Sequence, residues 1–92
     1  MWAIHKQELQ IVDEQNIVIG AESELLSVDV QRDKLCVWYT VDLDDAYTQR
    51  RKIYVRGTGH VLEDGDAVYL GTVLMMNGDL VFHVFDGGGE AL

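Results

Sequence analysis

Proline is absent from the 92 residues, and cysteine occurs once, at Cys36. Without proline, every turn must draw on Gly, Asn and Asp. A single thiol excludes an intrachain disulfide and a four-cysteine zinc site, and it fits a cytoplasmic chain. Cations are scarce: 7 Lys plus Arg stand against 16 Asp plus Glu, for a formal net charge of −9. Such a chain repels nucleic-acid phosphates at long range, so no direct nucleic-acid partner is expected. No apolar run reaches the roughly 18 residues of a membrane span. The opening Met1-Trp2-Ala3-Ile4-His5-Lys6 lacks the long apolar stretch of a signal peptide. The length fits one domain, expected over residues 1–86. Such a domain buries only roughly 60–65% of its unfolded surface, which leaves little room for a deep cleft. Hydrophobic residues make up 48%, which is against intrinsic disorder.

What is present reads as strands. Leu26, Val28 and Val30 alternate with Ser27, Asp29 and Gln31. Leu35, Val37, Tyr39 and Val41 then alternate with Cys36, Trp38 and Thr40. A two-residue loop at Arg32-Asp33 would set Val30 against Leu35, Val28 against Val37 and Leu26 against Tyr39, all on one face. Arg-Asp is not a favoured pair for such a loop, so a longer turn stays open. Asn77-Gly78, between Met76 and Asp79, has the composition of a type I′ turn. It would pair Met75 with Leu80, Leu74 with Val81, Val73 with Phe82 and Thr72 with His83. One face of that hairpin would carry Tyr69, Val73, Met75, Leu80, Phe82 and Val84. The other would carry Val68, Leu70, Leu74, Val81 and Phe85. Two apolar faces predict a hairpin buried on both sides, or one that uses a side as an interface. Arg51 to Arg56 alternates with Ile53 and Val55 inward, and Asn16 to Ile19 forms a short strand. Trp2 to Leu9 changes phase midway, which a bulge would explain. Asp42 to Gln49 reads as an acidic loop. The expectation is an all-β fold, a small antiparallel β-sandwich or open barrel of about six or seven strands. Three adjacent glycines at 87–89 predict a flexible Gly-rich C-terminal tail over residues 87–92.

The chemistry-bearing residues form four groups. The histidines (His5, His60 and His83) have no ligand-type local spacing, so framework roles outweigh a zinc site. Gly57-Thr58-Gly59-His60 follows a strand rich in cations: Arg50, Arg51, Lys52 and Arg56. Backbone N–H groups beside arginines can cradle a phosphate, and Tyr54 can stack on a base. The plainer reading is a glycine turn ending a strand. Asp42, Asp44 and Asp45, with Glu63, Asp64 and Asp66, place carboxylates close together in two loops. Their spacing fits neither a helix-flanked calcium site nor an evident glycosidase cleft, and solvated turn charge is the plainer reading. Trp38 and Tyr54 project from faces that otherwise read polar, as interface anchors do. Cys36 lies inside a strand and reads as a core-filling thiol. No pattern calls for a cofactor, a resident metal or enzymatic activity.

The pattern Arg50-Arg51, Gly57-Thr58-Gly59-His60, Tyr69-Leu70-Gly71-Thr72-Val73 and Leu80-Val81-Phe82-His83-Val84-Phe85, ahead of an acidic residue, resembles a set of small uncharacterised proteins of bacteriophages and prophages. Trp2, Ile4 and Leu9 before Asp13-Glu14-Gln15 fit it too, as does Leu26-Ser27-Val28 leading to Cys36-Val37-Trp38. The likeness covers about residues 2 to 86. It departs at Val61, where members often have proline, and in the glycine-rich end. The resemblance implies a phage accessory protein in the host cytoplasm and supplies no catalytic residues. The leading expectation is therefore a non-enzymatic protein that binds a host protein. The partner would be a nucleic-acid-binding defence effector such as a CRISPR effector, met by Asp42, Asp44, Asp45, Glu63, Asp64 and Asp66 acting as phosphate mimics, with Trp38 as anchor. One alternative is a module sequestering a signalling nucleotide through Arg50, Arg51, Tyr54, Arg56, Gly57, Gly59 and His60. Another is a virion component, a homo-oligomer built on the C-terminal hairpin.

Overall fold

Alternating side chains bury one face of each strand, and two such faces closed on each other make this fold. The computed structural model describes residues 1–63, 65 and 67–92, and among them there are strands and no helix. The order is β1 (Trp2–Glu8), β2 (Glu14–Gly20), β3 (Leu25–Gln31), β4 (Lys34–Asp42), β5 (Thr48–Gly57), β6 (Val68–Met75) and β7 (Leu80–Ala91). A three-stranded sheet runs β1-β4-β3, and a four-stranded sheet runs β2-β5-β7-β6. Every paired neighbour is antiparallel. The sheets pack as a sandwich around Leu35, Val37 and Tyr39 from one side, and Ile17, Ile19, Ile53, Val55, Val73 and Val84 from the other. Leu35, Val37, Ile53 and Val84 are the most deeply buried, each contributing about 1.5–3 kcal/mol relative to exposure. β3 packs beside β6 along one seam, whereas β1 and β2 share no ladder on the other.

Both hairpins take the expected registers near their turns. Val30 pairs with Leu35 and Val28 with Val37 across Arg32-Asp33, which adopt φ of 52° and 64°. Both central residues of a type I′ turn need that sign, so the disfavoured Arg-Asp pair is held left-handed by the strands it joins. Met75 pairs with Leu80, and the chain turns at Asn77 and Gly78 with φ of 56° and 89°. Asp79 N–H donates to Met76 C=O at 3.1 Å to close this turn.

Farther from the turns, bulges change the pattern. Leu25, not Leu26, opposes Tyr39, because the ladder slips between Leu25 and Ser27. A second slip between Tyr69 and Gly71 reverses the phase of the chain before it. Leu70 therefore packs against the core, while Tyr69 is 58% exposed. The β6–β7 hairpin is buried on one side only: Val73 and Val84 face the core, while Val68, Tyr69 and Leu74 are exposed. β1 has no bulge and keeps unbroken register with β4. Its phase change has another cause: Leu9 is buried, and Trp2 and Ile4 point outward, 56% and 65% exposed.

The expected C-terminal tail is a correction. Residues 87–91 belong to β7, with Gly89 paired to Arg51, Glu90 to Arg50 and Ala91 to Gln49. A bulge between Arg51 and Ile53 opens the ladder there, and Gly88 occupies it with φ of 93°. At Gly89 a Cβ would overlap Gln49 Oε1. Glycine here permits pairing instead of opposing it. Gly89→Ala should destabilise the fold by about 1–2 kcal/mol, because Gln49 Oε1 must move and its bond from Arg51 Nη1 is lost. Gly65→Ala meets nothing within 4 Å and should be near neutral. Urea unfolding of the two variants checks this.

Candidate functional site

The least exposed ion pair among the described residues joins β5 and β7. Arg51 shares the inward phase of Ile53 and Val55, so its guanidinium turns to the core side of the sheet. Arg51 Nε donates to Asp86 Oδ1 at 2.8 Å and Nη2 donates to Asp86 Oδ2 at 2.5 Å. Gly88 N–H also donates to Asp86 Oδ1, at 2.8 Å. Arg51 Nη1 donates to Gln49 Oε1, and Gln49 Nε2 donates to the carbonyls of Gly20, Ala21 and Ser23. Burial by itself raises the Asp86 pKa, but the hydrogen bonds from Arg51 and Gly88 and the arginine charge outweigh it and hold it below the usual value. The bond to Asp86 raises Arg51, against its own desolvation, with the charges of Asp86 and Glu24 adding to the rise.

The basic stripe does not gather into one anion site. Arg51 serves the interior. Arg50 and Lys52 lie on the outer face and pair with Glu90 at 3.6 Å and Glu14 at 3.8 Å. Arg56 donates to the carbonyls of Val61, Asp13 and Val55 and lies 5.2 Å from the Tyr54 ring centroid. It thus ties two loops to the sheet. Tyr54 is buried. Gly57 to His60 closes on itself: His60 N–H donates to Gly57 C=O at 3.0 Å, and Gly57 N–H donates to His60 Nδ1 at 3.2 Å. Gly59 takes φ of 90° within this turn. Its backbone donors are thus partly spent on the turn.

The histidines go to separate places. His60 serves that turn, and His5 meets Tyr39 edge-on. His83 lies between Thr58 Oγ1 at 2.8 Å and Thr72 Oγ1 at 2.9 Å. Among the described residues no three His, Cys, Asp or Glu side chains are grouped to hold a metal. Cys36 is buried, its thiol against Lys34 C=O at 3.6 Å.

The acidic loops stand at opposite ends of β5. Asp42, Asp44 and Asp45 precede it. Asp42 accepts from Asp44 N–H at 3.1 Å, Asp45 accepts from Tyr47 N–H at 2.9 Å, and Asp42 and Asp44 lie against the Met1 ammonium. Glu63 follows β5 and lines a hollow with Asp13, Arg56, Gly59, His60 and Val61. Thr48 and Gly57, the two ends of β5, are about 30 Å apart at roughly 3.3 Å per residue. Asp64 and Asp66 lie outside the described residues.

Trp38 stands elsewhere, on the outer face of β1-β4-β3. It lines a hollow of about 400 Å³ with Ile4, Leu26, Ser27 and Asp29. Trp2, Ile4 and Leu26 are exposed there. Of the two aromatics expected as anchors, Tyr54 is buried under β7 and is not one, while Trp38 lies on this face. The signals for its neighbours were the phase change in β1 and an apolar Leu26 beside a polar row. A row of exposed apolar side chains on a sheet face is a mark of a docking surface.

Fold and site define a small all-β sandwich with exposed apolar side chains on the outer face of β1-β4-β3. The chain belongs to the family described as a domain of unknown function (DUF7352), whose model matches residues 1–91. No curated protein and no solved structure matches it. No helix among the described residues is long and apolar enough to cross a membrane.

The Arg51–Asp86 pair yields a pH test. Asp86, depressed in the native state, stabilises the fold above its unfolded pKa and loses that contribution as pH falls through the native one. Arg51, raised, keeps its contribution throughout the accessible range. Asp86→Asn should cost about 2 kcal/mol near neutrality. The gap to the wild type should narrow below about pH 5. Denaturant unfolding from pH 7 to 3 checks this, and a constant gap would contradict it.

Proposed function

We propose that this chain is a non-enzymatic accessory protein that binds another protein through the outer face of β1-β4-β3, with Trp38 at the centre. The observation that carries this reading is the set of exposed apolar side chains on that face: Ile4 and Leu26, which line the hollow with Trp38, and Trp2 farther along β1. A globular domain gains nothing in stability from such a row, while a partner that covers it gains its burial. The resemblance to small phage and prophage proteins supports a host protein as the partner and the host cytoplasm as the place. A bacterial defence effector is the leading candidate, and the net charge of −9 favours a basic one. The acidic loops enter this reading as long-range steering, since their separation argues against a single phosphate-mimicking patch.

Self-assembly has one observation of its own: Tyr69 and Leu74 are exposed on the outer side of the β6–β7 hairpin. It predicts a mass that grows with concentration in light scattering and is indifferent to Trp38.

The test is affinity capture from host lysate, followed by titration of the captured protein. Trp38→Ala should weaken binding at least about tenfold, roughly 1.4 kcal/mol. Leu26→Ser, on an exposed bulge with little core to lose, should act in the same direction. Charge reversal at Asp42, Asp44 and Asp45 should mainly slow association. Binding that survives Trp38→Ala and Leu26→Ser but fails on charge reversal would return the contact to the loops.

A further inference from the structure

We infer that the free edge of β1 is a strand-addition site for an extended segment of the partner, one that alternates apolar with basic residues. This rests on the reading that the outer face of β1-β4-β3 docks a protein, and it names how the partner is held.

The argument starts from the ladder. In an antiparallel pair, opposed residues alternate between those that exchange hydrogen bonds and those that do not. At the two ends of the β1–β4 register, Leu9 N–H donates to Leu35 C=O and Leu43 N–H donates to Met1 C=O, both at 2.8 Å. The pairs in phase with these are Ala3 with Val41, His5 with Tyr39 and Gln7 with Val37. Their backbone groups are therefore spent on β4. Trp2, Ile4, Lys6 and Glu8 fall in the opposite phase, so their N–H and C=O groups point away from β4. β1 is the end strand of its sheet, and β4 is its only ladder partner among the described residues.

A row of unpaired backbone donors and acceptors is a template for another strand. Proteins usually blunt such an edge with proline, a bulge or an inward charge. β1 has no proline and no bulge; its charges are Lys6, whose Nζ reaches Gln31 Oε1 at 2.5 Å, and Glu8 at its far end, 3.9 Å from Lys34 Nζ. The same residues that turn their backbones to the edge carry the exposed side chains of the docking face, Trp2 and Ile4. Opposed residues in a ladder share a face. Every second side chain of an added strand would therefore lie beside Trp2 and Ile4 and could lean toward the hollow at Leu26 and Trp38. The residues between would lie on the other face of the sheet, beside Ala3, His5 and Gln7, and the net charge of −9 favours basic ones there. β2, also an end strand, carries Glu14, Asn16 and the exposed Val18 in its outward row, with Lys52 and Arg50 opposite Asn16 and Val18 on β5, so it presents one apolar side chain among charged ones.

The experiment selects peptides of about a dozen residues from a random display library on the folded chain, then measures the affinity of synthetic copies. Selected peptides should alternate apolar with Lys or Arg. On binding, the amide signals of Ile4 and Lys6 should shift and become protected from exchange. Lys6→Ala keeps the outward N–H and should bind within about threefold of wild type. Lys6→Pro removes that N–H in addition to the side chain that Lys6→Ala already removes, a change an edge strand tolerates, and should weaken binding at least tenfold at a similar melting temperature. If Lys6→Pro unfolds the chain, the amide shifts and protection in the wild type decide. Peptides that lose affinity with Trp38→Ala but not with Lys6→Pro, and leave the Ile4 and Lys6 amides unprotected, would overturn strand addition while the face stands. Indifference to both variants would overturn the two together. A dimer dissolved by Lys6→Pro would make the occupant a second copy, which also overturns the inference.

Discussion

The ion pair between Arg51 and Asp86 is the constraint on which the four-stranded sheet depends. Taking both charges largely out of water is costly, and only good geometry with further hydrogen bonds offsets it. Here the contact is two-pronged, Gly88 N–H adds a third bond to the carboxylate, and Gln49 links the guanidinium to the carbonyls of the turn after β2. The network thus joins β2, β5 and β7 at one end of the sandwich. It holds residues 87–91 against β5, where three glycines alone would favour a free chain.

With that end held, the sandwich is closed on one seam and open on the other. β3 lies beside β6, while β1 and β2 remain separate ends of their sheets. The core is complete without anything laid on the outside of β1-β4-β3, yet Trp2, Ile4 and Leu26 sit there exposed. Those side chains cost solubility in a free domain, and the net charge of −9 offsets it. In the proposed reading, affinity sits on the apolar face and solubility on the charged loops.

Much of the fold could be read from residue types. Asn77-Gly78 and the strict alternation around Arg32-Asp33 set two registers, because a one-residue slip would have moved every apolar side chain to water. The bulges at Leu26 and Leu70 were hidden, since both residues are apolar and fit either phase. The pattern in β1 showed that Trp2 and Ile4 share a face but not which face, and Leu9 read as the exception when it was the core residue. The glycines misled for a different reason. What requires Gly89 is Gln49, a side chain 40 positions away whose placement only the folded sheet reveals. The cation run at Arg50-Arg51-Lys52 looked like one site, although alternation already assigned Arg51 the phase of Ile53 and Val55. The carboxylate waiting for it on β7 could not be inferred from local spacing.

The most direct test of an open, partner-ready edge is residue-resolved amide hydrogen exchange of the free chain at low concentration. Ala3, His5 and Gln7 should exchange slowly, and Trp2, Ile4 and Lys6 fast, in strict alternation along β1. Uniform protection across β1 would contradict the account, because it would mean that the edge is already covered.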